Sequence, residues 1–114
     1  MTDYTPDKWV VIKLTNKHTA MHYRVFACWY GGFAGSDSWQ LNSGETKITE
    51  DDRSYYFEGS SGSVYQCNKL AYGTNGYGHG VLTNMIEKSK DSVLIEVMPK
   101  ETNFLDLQYD TVSL

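Results

Sequence analysis

Apolar and polar residues alternate along several short stretches of this chain. In the first stretch, Val10, Ile12 and Leu14 fall on one face of an extended strand, and Trp9 and Val11 fall on the other. Both faces of this strand are therefore expected to be at least partly covered by other parts of the protein. Similar patterns predict strands at residues 9–15, 23–30, 39–41, 46–49, 55–58, 64–67 and 92–98.

A change of period towards the C-terminal end predicts one helix. Val81, Leu82, Met85 and Ile86 recur at helical spacing, and polar residues fill the opposite face. We therefore expect a short amphipathic helix near residues 81–90, preceded by a glycine-rich loop. Short gaps between the strands favour antiparallel pairing. The predicted fold class is α+β, with a single, mostly antiparallel, twisted β-sheet covered by this helix.

Length and charge narrow the class of protein. A chain of 114 residues has the length of one domain, so residues 1–114 are interpreted as a single domain. The net charge is -4 at pH 7, and this acidic balance argues against nonspecific nucleic-acid binding. No apolar run is long enough to span a membrane, and the polar N-terminus lacks the apolar core of a signal peptide. We expect an intracellular protein that binds no membrane.

Cysteine and histidine residues give no pattern typical of a metal site. Cys28 and Cys67 form no CxxC pair and cannot alone complete a four-ligand zinc site. In an intracellular protein they are expected to be reduced, buried thiols. His18 and His22 are four residues apart but lack the glutamate of an H-E-x-x-H motif, which favours surface histidines over ligands. We therefore predict no metal and no cofactor.

Three loops, at residues 29–33, 36–44 and 59–65, combine Gly and Ser with an adjacent aromatic residue. Glycine permits close backbone approach, serine provides a hydroxyl, and an aromatic ring can stack on a planar group. The same composition is equally typical of tight turns and of aromatic residues that fill the core of a small sheet. As a site, the loops suit one small anion such as a nucleotide, whose charge Arg24 and Lys69 could balance. The predicted ligand-binding residues are Trp29, Tyr30, Trp39, Asn42, Ser61, Ser63 and Tyr65.

Catalytic chemistry has weaker support in the sequence. Ser61, His79 and Asp37 could be combined into a nucleophile, a base and an orienting carboxylate, but no G-x-S-x-G elbow frames the serine. Glu58 ends a predicted strand directly before a Gly-Ser loop, where a solvated carboxylate is the favoured interpretation. The chain is therefore interpreted as non-catalytic.

Two strings of residues are distinctive, W-x-G-G followed by D-S-W-x-L-N-S-G, and G-x-S-G-S-V-Y-x-C. Together with their flanks, from about Lys8 to Met98, they resemble a family of small proteins encoded by tailed bacteriophages. The family has no assigned activity, so the resemblance transfers no role to any residue. It implies a setting, the cytoplasm of a bacterial host during infection, where small phage proteins often bind and block a host component.

This setting and the three loops together lead to a functional hypothesis. The chain is predicted to be a non-catalytic binding protein that counters host defence by sequestering a small nucleotide-type signal. The alternative is a protein–protein inhibitor of a host or defence enzyme, acting through exposed aromatic residues. A small hydrolase or nuclease is the third and weakest alternative. The expected partners are a small polar or nucleotide ligand, a host protein in the alternative, and further copies of the chain in a homo-oligomer.

Overall fold

The computed structural model describes residues 2–16, 21–31 and 35–107. Within these ranges the chain forms seven β-strands and one α-helix, with short 3-10 helices at Lys69–Ala71 and Phe104–Asp106. The strands and the helix follow in the order β1 (Lys8–Asn16), β2 (His22–Trp29), β3 (Ser38–Leu41), β4 (Glu45–Glu50), β5 (Ser54–Gly59), β6 (Val64–Asn68), α1 (Gly76–Ser89) and β7 (Val93–Val97).

The strands belong to two antiparallel sheets. The larger sheet has four strands in the order β3-β2-β1-β7, and the smaller has three in the order β4-β5-β6. The smaller sheet packs on one face of the four-stranded sheet, and α1 packs on the other. The four-stranded sheet is therefore the middle layer of three, which we call the central sheet.

The core between the two sheets is rich in aromatic rings. Trp9 and Val11 of β1 face Phe57 of β5 and Tyr65 of β6, and all four side chains are buried. Trp9 is the centre of this cluster, because its ring lies 5.6 Å from the ring of Phe57 and 5.6 Å from the ring of Phe104. Its indole nitrogen donates a hydrogen bond of 2.7 Å to the carbonyl of Asn68, so the one polar atom of this side chain is also satisfied.

The second core lies between the central sheet and the helix. Val10 and Ile12 of β1 are buried there with Phe26 and Cys28 of β2, and Leu82 of α1 packs against them. Successive residues of β1 thus enter different cores, which confirms the expectation that both faces of this strand are covered. No helix in the described ranges is long and apolar enough to cross a membrane.

The α+β class, the antiparallel pairing and the single helix over the sheet are confirmed, but the strands form two sheets where the sequence predicts one. The difference has a physical cause in the smaller sheet. Phe57, Tyr65 and Cys67 form a buried apolar face, and that face is covered by the aromatic residues of the central sheet rather than by the helix. Alternation shows that a strand has an apolar face but not which layer covers it.

The helix begins earlier than predicted, at Gly76 instead of near residue 81. Asn75 is its N-cap, and the Oδ1 atom of this residue accepts a hydrogen bond of 2.6 Å from the N–H of Gly78. Gly78 is buried against Cys28, where no side chain fits. Gly78, one of the glycines that predict a loop, therefore permits the first helical turn to approach the central sheet.

Both cysteines are buried and neither forms a disulfide, which confirms the predicted thiols. They lie in different cores, Cys28 beneath the helix and Cys67 between the sheets. Burial is the main cause that raises the pKa of the Cys28 thiol above its ordinary value, partly opposed by a hydrogen bond from the backbone of Asn75.

Candidate ligand-binding cleft

Two of the predicted Gly/Ser loops meet in the structure. The turn at residues 42–44 follows β3, the turn at residues 59–63 joins β5 to β6, and hydrogen bonds connect them. The N–H of Ser60 donates to the carbonyl of Gly44 over 2.8 Å, and the N–H of Ser61 donates to the Oγ of Ser43 over 3.0 Å. The Ser43 hydroxyl also donates to the Ser61 hydroxyl over 3.1 Å. The turns therefore join the central sheet to the smaller sheet.

A cleft of about 410 Å³ lies beside this junction. Its lining combines one cationic side chain with amides, hydroxyls and two tyrosine rings. The lining residues are Tyr4, Arg24, Gln40, Leu41, Asn42, Ser43, Ser61, Ser63 and Tyr65. Its volume lies within the range of roughly 300–1,000 Å³ that is typical of small-molecule sites.

Asn42 is the most buried polar residue of the lining, at 2% exposure. Its Oδ1 atom accepts a hydrogen bond of 2.8 Å from the N–H of Val25 and a longer one of 3.4 Å from the N–H of Gly44. Its backbone N–H donates to the carbonyl of Val25 over 3.0 Å, which extends the pairing of β2 and β3. Asn42 therefore fixes the end of β3 against β2 while it borders the cleft.

Arg24 is the one cation among the residues that line the cleft. Its Nε atom donates to the Nε2 atom of His22 over 3.3 Å, and no carboxylate of the described residues forms a salt bridge with it. Lys69, the other cation considered from the sequence, lies elsewhere and is paired with Glu50 at 2.7 Å. Within the part of the chain that the structure describes, Arg24 therefore gives the cleft a positive charge that no salt bridge neutralises.

The other end of the cleft is formed by Tyr4, Gln40 and Tyr65. The Tyr4 and Tyr65 rings lie 4.8 Å apart with an interplanar angle of 33°, and the Nε2 atom of Gln40 donates to the Tyr65 hydroxyl over 2.7 Å. Burial raises the pKa of Tyr65 above its ordinary value, although the hydrogen bond from Gln40 acts in the opposite direction. Tyr65 therefore stays protonated at neutral pH and can donate as well as accept.

The N-terminal segment holds Tyr4 in this position. The N–H groups of Asp3 and Tyr4 both donate to the carbonyl of Val64, at 2.9 and 3.1 Å, and the carbonyl of Tyr4 accepts from the N–H of Gln66 over 2.8 Å. The Oδ2 atom of Asp3 accepts from the N–H of Val64 over 2.8 Å. The segment thus pairs with β6, and a residue from the start of the chain completes one wall of the cleft.

Four of the seven predicted binding residues line the cleft, namely Asn42, Ser61, Ser63 and Tyr65. Trp29, Tyr30 and Trp39 do not line it. The indole of Trp29 packs against the core between the sheets and donates to the carbonyl of Thr5 over 3.1 Å. Trp39 stacks on Phe26, with ring centroids 5.4 Å apart and planes 13° apart, and therefore lies on the helix side of the central sheet.

Tyr30 is exposed just beyond the end of β2, where its N–H donates to the Oδ2 atom of Asp7 over 2.9 Å. The first of the three predicted loops thus lies apart from the other two. Residues 32–34 of that loop, and His18 of the predicted histidine pair, lie outside the described residues.

The residues considered for catalysis are not brought together. Ser61 lies on the turn between β5 and β6, whereas His79 is exposed on α1, on the other side of the central sheet. The Oδ1 atom of Asp37 accepts from the N–H of Gly31 over 2.8 Å. Glu58 faces Lys47 in the pairing of β4 and β5. The described part of the chain contains no cluster of three or more metal-binding side chains.

Four lining residues are not among those predicted from the sequence, namely Tyr4, Gln40, Leu41 and Ser43. Tyr4 pairs with Tyr65, which is far from it along the chain, so nothing local indicates it. Gln40 carries a usable signal, because in a strand it faces the side opposite to Trp39 and Leu41. Ser43 lies in the predicted loop at residues 36–44, but only Trp39 and Asn42 of that loop are predicted to bind a ligand.

The chain was compared with protein-family models, with curated proteins and with solved structures, and nothing matches it.

Proposed function

We propose that this chain is a non-catalytic binding protein that holds a small, polar, negatively charged ligand in the cleft. The observation that carries this proposal is the positive charge of Arg24 in a cleft otherwise lined by amides, hydroxyls and tyrosine rings. Such a lining orients a ligand through hydrogen bonds, and the guanidinium, which forms no salt bridge with any described residue, attracts an anion. The proposed ligand is nucleotide-type, because a nucleotide combines an anionic group with a planar polar body.

The resemblance to small phage proteins suggests the biological role that we propose for this binding. A protein that holds a host-defence nucleotide signal without converting it would lower the free concentration of that signal during infection. The role requires affinity and copy number but no chemical step. It therefore agrees with a cleft in which the candidate nucleophile Ser61 and the candidate base His79 lie on different sides of the central sheet.

Native mass spectrometry of the protein purified from the cells that produce it is the first test. We expect a small adduct in fixed ratio to the subunits, which leaves with unchanged mass after denaturation. The same spectrum reports the number of subunits. Calorimetry with linear and cyclic nucleotides then measures the affinity of the protein freed of this adduct.

The matched variants for calorimetry are Ser63→Ala, inside the cleft, and Ser36→Ala, exposed outside it. We expect Ser63→Ala to weaken binding several-fold through the loss of one hydrogen bond, and Ser36→Ala to bind as the unaltered protein does. Absence of an adduct together with absence of binding across the panel would contradict the proposal.

A second candidate function, inhibition of a partner protein, is favoured by a group of exposed aromatic residues. Tyr30 is 56% exposed, Trp39 37% and Tyr77 47%. All three lie near the end of β2. Tyr30 directly follows this strand, and Trp39 pairs with Cys28 near its end. Tyr77 lies on the helix whose N-cap, Asn75, donates a hydrogen bond to the carbonyl of Trp29. Exposed Tyr and Trp side chains are frequent anchors of protein interfaces.

The double variant Tyr30→Ala/Tyr77→Ala tests this second candidate. If the aromatic group is an interface, the variant loses a stoichiometric partner that the unaltered protein retains in a pull-down from infected host cells. If both proteins retain the same partner, or neither retains one, the second candidate is rejected.

A further inference from the structure

The orientation of the Asn42 amide is fixed by the backbone around it. Its Oδ1 atom accepts from the N–H groups of Val25 and Gly44, at 2.8 and 3.4 Å. Turning the amide over would set the hydrogens of Nδ2 against these two donors, so Nδ2 is held on the other side. Among the residues that the structure describes, Nδ2 has no hydrogen-bond partner. A buried amide donor without an acceptor is unfavourable, and an acceptor oxygen at this point would remove that penalty.

Arg24 borders the same cleft as this amide. Asn42 pairs through its backbone with Val25, the residue that follows Arg24 in β2, and both Arg24 and Asn42 line the cleft. The guanidinium has only donors, and the single acceptor of the Asn42 amide is already used. This end of the cleft therefore offers donors and a positive charge, but no acceptor from these two side chains. Such a set matches an oxyanion.

We propose that the ligand is held by an oxyanion group, a phosphate monoester or a carboxylate, bound between the guanidinium of Arg24 and the Nδ2 atom of Asn42. This inference rests on the proposed function and states which part of the ligand is recognised first. The body of the ligand then lies towards Gln40 and Tyr65, where an amide and a phenol remain for polar contacts. Recognition thus begins with charge and hydrogen bonds, and not with the stacking on Trp29, Tyr30 and Trp39 that the sequence predicts.

Asn42→Asp is the most specific variant for this inference. Aspartate has the same shape and keeps an oxygen to accept from Val25, but it replaces the Nδ2 donor by a negatively charged oxygen. We expect it to weaken the binding of adenosine 5′-monophosphate by about tenfold or more, which is the loss expected for one charge-assisted hydrogen bond. Thermal unfolding in the absence of ligand checks that the variant remains folded.

Arg24→Met and Lys69→Met are a matched pair, because both remove one positive charge. Arg24 lines the cleft, whereas Lys69 is paired with Glu50 outside it. We expect Arg24→Met to weaken the binding of adenosine 5′-monophosphate by about tenfold or more and to reduce its salt dependence. Lys69→Met should bind adenosine 5′-monophosphate as the unaltered protein does, because the net charge of the protein does not hold the ligand.

Titration of the ¹⁵N-labelled protein, followed through the Asn42 Nδ2 and Arg24 Nε resonances, locates the contact directly. The probes are inorganic phosphate, acetate, adenosine 5′-monophosphate and adenosine. We expect the phosphate-bearing probes to shift both resonances and adenosine to leave them unchanged. A response to acetate instead of phosphate identifies the oxyanion as a carboxylate.

The outcomes separate this inference from the proposed function. If nucleotides bind but neither Asn42→Asp nor Arg24→Met weakens them, the oxyanion site is wrong and nucleotide binding stands. If phosphate or acetate shifts the two resonances but no nucleotide binds, the oxyanion site stands and the nucleotide-type function is wrong. If no probe shifts either resonance and no nucleotide binds, both are wrong.

Discussion

The contact between the first turn of α1 and β2 can be tested by adding one methyl group. Gly78 is buried, and a Cβ atom built on it would overlap the sulfur of Cys28. The same Cβ would lie 2.9 Å from the Oδ1 atom of Asn75 and 3.4 Å from the Cβ of Cys28. Cys28 is 0% exposed and belongs to the core beneath the helix, so any movement of its side chain disturbs the residues packed around it. Gly78→Ala must therefore displace the helix or disrupt its cap.

The expected loss combines three contributions. Overpacking a well-filled core costs about 1–3 kcal/mol. Weakening the N-cap bond from Gly78 to Asn75 adds up to about 1 kcal/mol. Alanine gains back up to about 1 kcal/mol of helix propensity over glycine. We expect a net loss of about 1–3 kcal/mol in the free energy of unfolding, measured by urea denaturation with tryptophan fluorescence.

Gly80→Ala is the matched control, because it lies in the same helix and a Cβ there has nothing within 4 Å. It should stabilise the protein by up to about 1 kcal/mol. In a Cys28→Ala background, Gly78→Ala should lose less stability than in the native background, since the sulfur is gone. If Gly78→Ala and Gly80→Ala unfold at the same urea concentration, the close approach of the helix is wrong.

Three further predictions concern single groups. Tyr72→Phe removes a hydroxyl that accepts from the N–H of Val11 over 3.2 Å and donates to the carbonyl of Met98 over 2.5 Å, and should lower the free energy of unfolding by about 1–3 kcal/mol. The Tyr56 hydroxyl is the main cause that lowers the pKa of Asp51 below its ordinary value. The ionised Asp51 carboxylate therefore stabilises the fold at neutral pH, and this stabilisation is lost as the pH falls through the pKa of Asp51 in the folded protein. In an acid titration, Asp51→Asn should therefore lose less of its free energy of unfolding than the unaltered protein does. Both cysteine thiols should react with a thiol reagent only after unfolding, because both are buried, and fast reaction of the folded protein would contradict their burial.

The alternation of apolar residues predicts the strands well, and its limits are visible in β1. Trp9 and Val11 enter one core and Val10 and Ile12 enter the other, as a strand with two covered faces requires. The pattern does not show that a second sheet covers one face and the helix covers the other. That choice depends on shape, since the rings that contact Trp9 come from β5, from Tyr72 in the segment before the helix and from Phe104.

The start of the helix shows a tertiary contact prevailing over local propensity. Gly76, Gly78 and Gly80 weaken a helix when each residue is considered by itself, which is why the sequence predicts a loop there. At Gly78 the absence of a side chain is what allows the helix to pack against Cys28. The side chain of Asn75 then supplies the cap. Asn75 is therefore the one local signal in the sequence for the start of the helix. The contact of Gly78 with Cys28 cannot be read from the sequence, because it depends on the fold.

Among the predicted binding residues, Asn42, the two serines and Tyr65 line the cleft, whereas Tyr30 and the two tryptophans do not. Asn42 and Ser61 come from two turns that are hydrogen-bonded to each other, where backbone and hydroxyl groups need partners. Trp39 belongs to a strand, so its direction follows from the pairing with Cys28 and from its stacking on Phe26. Composition indicates that a loop contains an aromatic residue, whereas only register shows which side of the sheet the ring faces.

Residues of the two hydrogen-bonded turns, at 42–44 and 59–63, both line the cleft and form the junction between the two sheets. The Ser43 hydroxyl accepts from the backbone of Ser61 and donates to its hydroxyl, and Asn42 holds the end of β3 against β2. A substitution that removes any of these bonds changes both the stability and the shape of the cleft, so a loss of binding alone would not show contact with a ligand. The Arg24 side chain and the Nδ2 atom of Asn42 differ in this respect, because among the described residues neither forms a hydrogen bond that connects the two turns. Variants at these two groups therefore separate recognition from architecture.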